Sequence, residues 1–144
     1  MECQFCQIEQ GLVPVVGGSL YEDELVYASH YSHGEEPMYL GHLVVQTRRH
    51  VPTFAELTDA EAQAIGLLIT RLSRALKEGA GAERTYVVFF GEVVPHLHVL
   101  LTARYPGTPP EYWRSQVHNW PDAPTGGSAE IAALCERLRA FLKR

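Results

Sequence analysis

The chain has 144 residues, of which 46% are hydrophobic and 20% charged, a composition typical of a single globular domain over residues 1–144. Its formal net charge of -5 argues against a polymeric nucleic-acid partner, because binding to a phosphate backbone usually needs a basic patch. No apolar run reaches the roughly 18 to 20 residues of a membrane span, and the first residues lack the basic and apolar regions of a signal peptide. We therefore expect a cytoplasmic protein with no membrane partner.

The first half of the chain contains three predicted strands. Residues 20–31 predict two short strands that form a hairpin around the acidic turn Glu22-Asp23-Glu24. Residues 38–46 alternate and are rich in Leu and Val, which predicts a third strand. Pro52 follows soon after and excludes a longer strand.

A long helix is predicted over residues 58–78. Thr58 and Glu61 have the spacing of a capping box, and Gly79 is placed to end the helix. Apolar residues recur between them at helical intervals, namely Ile65, Leu68, Ile69, Leu72 and Leu76. This apolar face should lie across a sheet.

Two further strands are predicted at residues 84–90 and 96–102, joined by a short turn. The expected fold class is therefore α+β, with a five-stranded antiparallel sheet crossed by one long helix. Residues 1–104 form the core of this arrangement. Residues 105–144 add an aromatic and proline-rich tail, which we expect to be ordered, and an extra helix over residues 128–142.

The cysteines favour a metal or redox site over a disulfide framework. Cys3 and Cys6 are separated by two residues, a spacing that in a cytosolic chain fits either a metal site or a redox-active pair. Cys135 stands alone in an apolar helical stretch, so we interpret it as a buried residue without a chemical role.

Two histidines share one face of a predicted strand. Side chains alternate along a strand, which places His96, His98 and Leu100 on one side. A single strand histidine is more often a hydrogen-bonded structural group than a catalyst, so this segment alone does not establish an active site.

Five segments in a fixed order carry a family resemblance. They are Cys3-x-x-Cys6-x-Ile8, Tyr21-Glu22-Asp23-Glu24, Gly41-His42-Leu43-Val44-Val45 leading to Arg49-His50, Leu57-Thr58-Asp59-Ala60-Glu61, and Val94-Pro95-His96-Leu97-His98 with Arg104. Together they cover most of the chain from residue 3 to residue 104 and resemble the histidine triad (HIT) family of nucleotide hydrolases and transferases. The resemblance implies a HIT-like fold.

The resemblance implies that His98 is the nucleophile. The family signature is His-φ-His-φ-His-φ-φ, with φ an apolar residue, and its middle histidine forms a covalent nucleotidyl intermediate. An imidazole is largely neutral near pH 7 and gives a phosphoramidate that water can cleave. The implied activity is attack on the α-phosphate of a nucleoside phosphoramidate or dinucleoside polyphosphate, without a redox cofactor.

The resemblance also implies further site residues. Cys3, Cys6, His50 and His96 stand where bacterial members coordinate zinc, and such a Cys2His2 set is a closed structural site. His42 is expected near the reacting histidine as a second catalytic residue, where it donates to phosphate or tunes the charge state of His98. The alternative is that it only hydrogen-bonds a backbone carbonyl.

Basic residues are expected in binding or surface roles. Arg104 is a candidate phosphate ligand, whereas Arg48 and Arg49 are interpreted as solubilising residues. Trp113, Trp120 and His118 of the tail either approach an active site, of the same or a partner subunit, or only pack against the core.

This sequence departs from the family pattern at three places. Leu100 replaces the third histidine, and Glu92-Val93-Val94 replaces the usual Gln-Ser-Val. No asparagine occurs on the strand at residues 84–90. These departures leave a second hypothesis open, a noncatalytic nucleotide-binding module, and the cysteine pair leaves a third, a thiol redox protein. Family members are generally dimers, so we predict a homodimer whose sheets join across a two-fold axis.

Overall fold

Five strands form one antiparallel sheet in the computed structural model, which describes residues 3–143. The strands are β1 (Ser19–Glu22), β2 (Val26–His30), β4 (His42–Thr47), β5 (Arg84–Val88) and β6 (His98–Arg104), and a short β3 (Met38–Tyr39) lies outside this sheet. The order across the sheet is β1-β2-β4-β6-β5. This confirms the five-stranded antiparallel sheet and leaves β1 and β5 as its edges.

The long helix α2 (Asp59–Ala80) covers one face of the sheet. Its start agrees with the prediction, because the Thr58 hydroxyl accepts from the Glu61 backbone N–H at 3.1 Å and the Glu61 carboxylate accepts from the Thr58 N–H at 2.9 Å. The predicted end at Gly79 is wrong. Gly81, at φ 78°, takes the left-handed conformation that ends the helix. Gly79 lies inside the helix, where Phe141 occupies the space of a side chain.

The predicted third strand is interrupted. Residues 38–46 divide into β3 and β4 because Gly41 turns the chain at φ 95°, a conformation that favours glycine. β3 leaves the main sheet and pairs with β7 (Thr125–Gly126) of the tail. β3 and β7 thus form a two-stranded ribbon that joins the tail to the first half of the chain. The sequence did not predict this ribbon.

The final helix, α3 (Ser128–Leu142), has the predicted boundaries. It contacts α2 and β1, so it completes the layer of helices on one face of the sheet. Cys135 is fully buried in that contact, as its apolar surroundings in the sequence predicted.

The opposite face of the sheet is covered at both ends. At one end lies α1 (Gln4–Glu9), a six-residue helix that follows Cys3 and contains Cys6, which the sequence analysis missed. At the other end lies the tail, with 3-10 turns at Pro110–Tyr112 and Arg114–Asn119 and a fully buried Val117. Among the described residues, no helix has the length and apolar character needed to cross a membrane.

Candidate active site and metal centre

The histidines of interest lie on the face of the sheet that the long helices leave uncovered. On β6 this face carries His98, Leu100 and Thr102, while the alternate residues point into the core. Their Cα partners on β4 are, in the same order, Gln46, Val44 and His42. Between α1 and the tail, the middle of this face is therefore built from two neighbouring strands.

His98 is held in one orientation and one tautomer. Its Nδ1 lies 2.7 Å from the carbonyl oxygen of His96. A carbonyl oxygen only accepts, so Nδ1 carries the proton and, in the neutral ring, Nε2 keeps a free electron pair. The ring also stacks on Phe5, with centroids 4.3 Å apart and an interplanar angle of 23°. These contacts fix the orientation of the ring and leave Nε2 as the nitrogen available to a ligand.

A buried glutamine fixes α1 over His98. The Gln46 amide donates to the Phe5 carbonyl at 2.8 Å and to the Glu9 carboxylate at 2.9 Å, and Gln46 is only 1% exposed. Burial raises the pKa of Glu9, although the bond from Gln46 opposes this shift. The sequence analysis missed these residues. Two features of the sequence could have indicated them: the amide of Gln46 at a core position of a strand, and the aromatic Phe5 between two cysteines.

The predicted metal ligands come together as one cluster. Atoms of Cys3, Cys6, His50 and His96 that are able to bind a metal all lie within 4.8 Å of one another. His96 Nδ1 is 3.3 Å from the Cys3 sulfur and 3.4 Å from the Cys6 sulfur, and His50 Nδ1 is 3.4 Å from the Cys6 sulfur. These four residues could hold a metal ion.

The donor set fits a tetrahedral cation. Ordinary zinc–sulfur and zinc–nitrogen bonds place sulfur and nitrogen ligands roughly 3.6 Å apart, close to the separations in this cluster. His96 Nε2 lies 2.5 Å from the Thr47 carbonyl and must donate to it, so Nδ1 presents its electron pair to the cluster. Without an ion, burial and the neighbouring Cys3 raise the pKa of the Cys6 thiol to about 11.

His42 does not lie beside His98, in contrast to the expectation from the sequence. His42 pairs with Thr102, four residues from His98 on β6, which corresponds to roughly 14 Å along the strand. Its Nδ1 is 2.8 Å from the Thr102 hydroxyl, and its ring meets the His118 ring edge to face at 4.9 Å. Burial, with His118 and His30 nearby, lowers the pKa of His42 to about 4.

Arg104 is enclosed by the tail. Its guanidinium lies 3.9 Å from the centre of the Trp113 ring and donates to the Tyr86 hydroxyl at 2.8 Å, and the residue is 6% exposed. These contacts join the tail to the sheet, and the substrate-binding role of Arg104 stays a prediction. Arg49 likewise has a structural partner, because it forms an ion pair with buried Glu61 at 2.7 Å.

Two cavities lie on this face of the sheet. One, with a volume of about 370 Å³, lies on the β2 side and is lined by Phe5, Ile8, Val16, Ser29, Val44 and Gln46, among others. The second, of about 540 Å³, lies on the β5 side between the sheet and the tail, and Leu100 and His118 are among its lining residues. The first cavity adjoins His98 through Phe5, whose ring stacks on the imidazole.

The sheet, the long helix and the histidine-bearing strand define a HIT-type fold with a candidate Cys2His2 centre. The HIT domain model matches residues 17–107, and the chain belongs to the histidine triad family. No curated protein matches the chain significantly.

Solved structures share this fold along most of the chain. A zinc-bound histidine triad family protein from Mycobacterium smegmatis has a TM-score of 0.72 and 23% identity, with 99% of this chain and 94% of that chain covered. A hypothetical histidine triad nucleotide-binding protein from Sulfolobus tokodaii has a TM-score of 0.75 and 20% identity, covering 98% and 92%. A HIT family hydrolase from Legionella pneumophila has a TM-score of 0.57 and 24% identity, covering 76% and 98%.

Proposed function

We propose that this protein is a nucleotide hydrolase or nucleotidyl transferase that uses His98 as its nucleophile. The observation that carries the proposal is the 2.7 Å contact between His98 Nδ1 and the His96 carbonyl. It leaves Nε2 as the ring nitrogen that can attack. Attack on phosphorus requires a nitrogen with a free electron pair.

The reaction proceeds in two steps. In the first, His98 Nε2 forms a bond to the α-phosphorus of the substrate while the bond from phosphorus to the leaving group breaks. The positive charge on the imidazolium is stabilised because Nδ1–H donates to the His96 carbonyl. In the second, water attacks the same phosphorus, the phosphorus–nitrogen bond breaks, and a nucleoside monophosphate and a proton are released.

The cavity on the β2 side supplies a site for the nucleoside. Phe5 connects it to His98, and Ile8, Val16 and Val44 give it apolar walls, while Ser29 provides a hydroxyl. The lining also includes polar side chains, such as Glu35 and Gln46, and apolar walls combined with polar groups suit a nucleoside. His30, which also lines it, is not free for substrate, because Nδ1–H donates to the Tyr31 carbonyl and Nε2 accepts from the Gly41 N–H at 3.0 Å.

The Cys2His2 cluster is proposed to bind a structural zinc ion. Cys3 and Cys6 would supply thiolates, and His50 and His96 would supply neutral imidazoles, which leaves no open position for catalysis. The burial of His96 lowers its pKa and so favours the neutral form that a metal requires. A bound zinc ion would link α1, and with it Phe5, to the segment that leads into the strand carrying His98. This occupation of both cysteines argues against the redox hypothesis.

A noncatalytic nucleotide-binding module is the alternative function. Leu100, which replaces the third histidine of the family signature, is the observation that favours it. In that case the nucleoside cavity would bind its ligand without transfer of the nucleotidyl group to His98.

Covalent labelling distinguishes the two functions. Wild-type protein and the His98→Ala variant are mixed briefly with adenosine phosphoramidate or diadenosine tetraphosphate and quenched with acid, and intact masses and AMP release are recorded. The enzyme requires an AMP adduct or AMP formation that depends on His98. Arg74→Gln is the control, because it changes an exposed side chain on α2, on the face of the sheet opposite His98. Binding without adduct or product would support the alternative.

The assembly and location are also proposals. β5 is an edge strand, and exposed apolar side chains lie on it or just after it, with Val87 at 49%, Phe90 at 77% and Val93 at 93% exposure. We propose that two copies join their sheets here in a cytoplasmic homodimer, which would bury this apolar surface. Light scattering that finds only a 16 kDa species would contradict the dimer.

A further inference from the structure

We propose that Gln46 and Ser29 bind the base of the nucleotide, and that Gln46 selects adenine over hypoxanthine and guanine. This inference rests on the proposed function and narrows its substrate class to adenine nucleotides. It concerns the cavity on the β2 side, which both residues line. Ser29 is 5% exposed and Gln46 is 1% exposed, so both polar side chains are buried in the wall of this cavity.

The amide of Gln46 has a fixed orientation. Its nitrogen donates to the Phe5 carbonyl oxygen at 2.8 Å and to the Glu9 carboxylate at 2.9 Å. A carbonyl oxygen only accepts, so the nitrogen of the amide, and not its oxygen, must face Phe5. Both amide hydrogens are therefore used within the protein. The oxygen Oε1 is the atom of this amide that remains for a ligand.

The two side-chain oxygens have no partner within residues 3–143. Gln46 Oε1 accepts no hydrogen bond from these residues, and the Ser29 hydroxyl forms none with them. Neither oxygen is fully enclosed, because Arg104 Nε is the one enclosed side-chain polar atom in this part of the chain that lacks a partner. Both oxygens therefore open onto the cavity that they line. A nearly buried oxygen without a partner is unfavourable, and a ligand that bonds to it removes this cost.

Strand pairing brings the two side chains to one wall. Ser29 on β2 is the Cα partner of Val44, and Gln46 follows Val44 by two residues on the same face of β4. Such diagonal neighbours are separated by roughly 7 to 8 Å, so one purine can contact both side chains. Gln46 is also the Cα partner of His98. The wall that carries the two oxygens thus adjoins the strand of the nucleophile.

The surroundings of the two oxygens suit a base better than a sugar. Phe5, Ile8 and Val44 line the same cavity and provide apolar surfaces for a flat aromatic ring. The exposed side chains of His33 and Glu35 line the cavity from the loop after β2, where they suit the hydroxyl groups of a ribose. The buried wall is therefore the part of the cavity that receives the base.

The selectivity follows from the direction of the hydrogen bonds. Adenine carries an amino group, which donates, at the position where hypoxanthine and guanine carry a carbonyl oxygen, which accepts. Gln46 Oε1 only accepts, so it binds the amino group and repels the carbonyl oxygen. The Ser29 hydroxyl either donates or accepts, so it adapts to each of these bases. Gln46 therefore determines the selectivity, and Ser29 adds affinity.

The first test compares the binding of AMP and IMP, whose bases differ at this edge. Isothermal titration calorimetry with the wild-type protein should give a Kd for AMP about tenfold below that for IMP, because IMP leaves Gln46 Oε1 without a donor. Gln46→Met keeps the length of the side chain but removes the oxygen, so the two Kd values should become nearly equal. Ser29→Ala should weaken the binding of both nucleotides and keep their ratio.

Glu9→Ala is the matched control for the position of α1. Gln46→Met also removes the bonds that hold this helix, so the helix itself could alter binding. Glu9→Ala removes one of these bonds, but the Phe5 carbonyl still fixes the amide, so the preference for AMP should remain. Melting temperatures show whether each variant is folded. Loss of the preference in Glu9→Ala as complete as in Gln46→Met would overturn the proposal.

A ligand analogue tests the same bond without any variant. Purine riboside monophosphate has only a hydrogen atom in place of the amino group of AMP, so it should bind the wild-type protein about tenfold more weakly than AMP. Equal affinity for AMP and this analogue, equal affinity for AMP and IMP, or no binding of AMP at millimolar concentrations would each overturn the proposal.

Turnover keeps the two proposals distinct. The kcat/KM for adenosine phosphoramidate should exceed that for inosine phosphoramidate about tenfold in the wild type, and Gln46→Met should remove the difference. If AMP binding is selective through Gln46 but neither substrate is cleaved, base selection stands and the hydrolase function fails. If turnover depends on His98 but shows no preference for adenine, the hydrolase stands and this inference fails.

Discussion

Loss of the metal should release α1 without unfolding the core. The perturbation is Cys6→Ser, which removes one of the four ligands and weakens zinc binding. The consequence depends on what else holds residues 4–9 in place. If their other contacts are too weak, the helix should detach from the sheet and Phe5 should leave the His98 ring.

The structure gives the size of these other contacts. Burial of Phe5, which is 5% exposed, stabilises the docked helix by about 3 kcal/mol. The two hydrogen bonds from Gln46 add about 1 kcal/mol each. Ordering the backbone of a six-residue helix costs at least about 6 kcal/mol. The contacts total about 5 kcal/mol, so the docked helix is not stable without the metal.

Hydrogen exchange followed by mass spectrometry tests this reasoning directly. In Cys6→Ser, peptides covering residues 4–9 should exchange rapidly, while peptides from β4 and β6 keep most of their protection. Elemental analysis should show zinc in the wild type and in Cys135→Ala, a control that removes a thiol far from the cluster. Protection of residues 4–9 that persists in a zinc-free Cys6→Ser protein would refute the reasoning.

Three further predictions concern stability. Glu61→Ala should lower the free energy of unfolding by about 2 kcal/mol in urea titrations, because it removes the capping bond to Thr58 and the ion pair with Arg49. A loss below about 0.5 kcal/mol would contradict this expectation. Gly41→Ala should cost about 2 kcal/mol or more, because the new methyl group would collide with the Tyr105 hydroxyl at a φ of 95°. Gly11→Ala, also at positive φ but in open space, should cost less, and equal melting temperatures for the two variants would contradict the steric argument. The pKa of His42 is near 6.5 in the unfolded chain and about 4 in the folded protein, so the unfolded state binds the proton first as the pH falls. The free energy of unfolding should therefore decrease between pH 6.5 and pH 4, by up to roughly 3 kcal/mol. His42→Asn should flatten this part of the curve, and an unchanged pH dependence in the variant would contradict the assignment.

Periodic patterns predicted the regular elements well. The capping residues Thr58 and Glu61 and the apolar repeat fixed the start of α2, because both signals are local. The choice between Gly79 and Gly81 as the end of α2 was beyond such reasoning. It depends on Phe141 of α3, which is 62 residues later in the chain and packs over Gly79.

The candidate site was only partly readable from the sequence. Resemblance located His98 and the four residues of the cluster, since their spacing is characteristic. It placed His42 too close to His98, because strand register, which separates the two residues, depends on pairing across the sheet. The position of the tail was missed as well, because its sequence has no periodic pattern that would indicate which face of the sheet it covers.

The contacts of α3 have a consequence for how the protein is made. Arg139 donates to the carbonyl oxygens of Gly17, at 2.8 Å, and Ser19, at 3.0 Å, so the last helix is joined to the start of the first strand. More than a hundred residues separate these groups, and α3 also covers part of the core. During synthesis on a ribosome, the apolar surface that β1 and α2 share is therefore enclosed only after residues 128–142 have been made. A nascent chain stalled before α3 exposes that surface, which makes it a substrate for chaperones during synthesis.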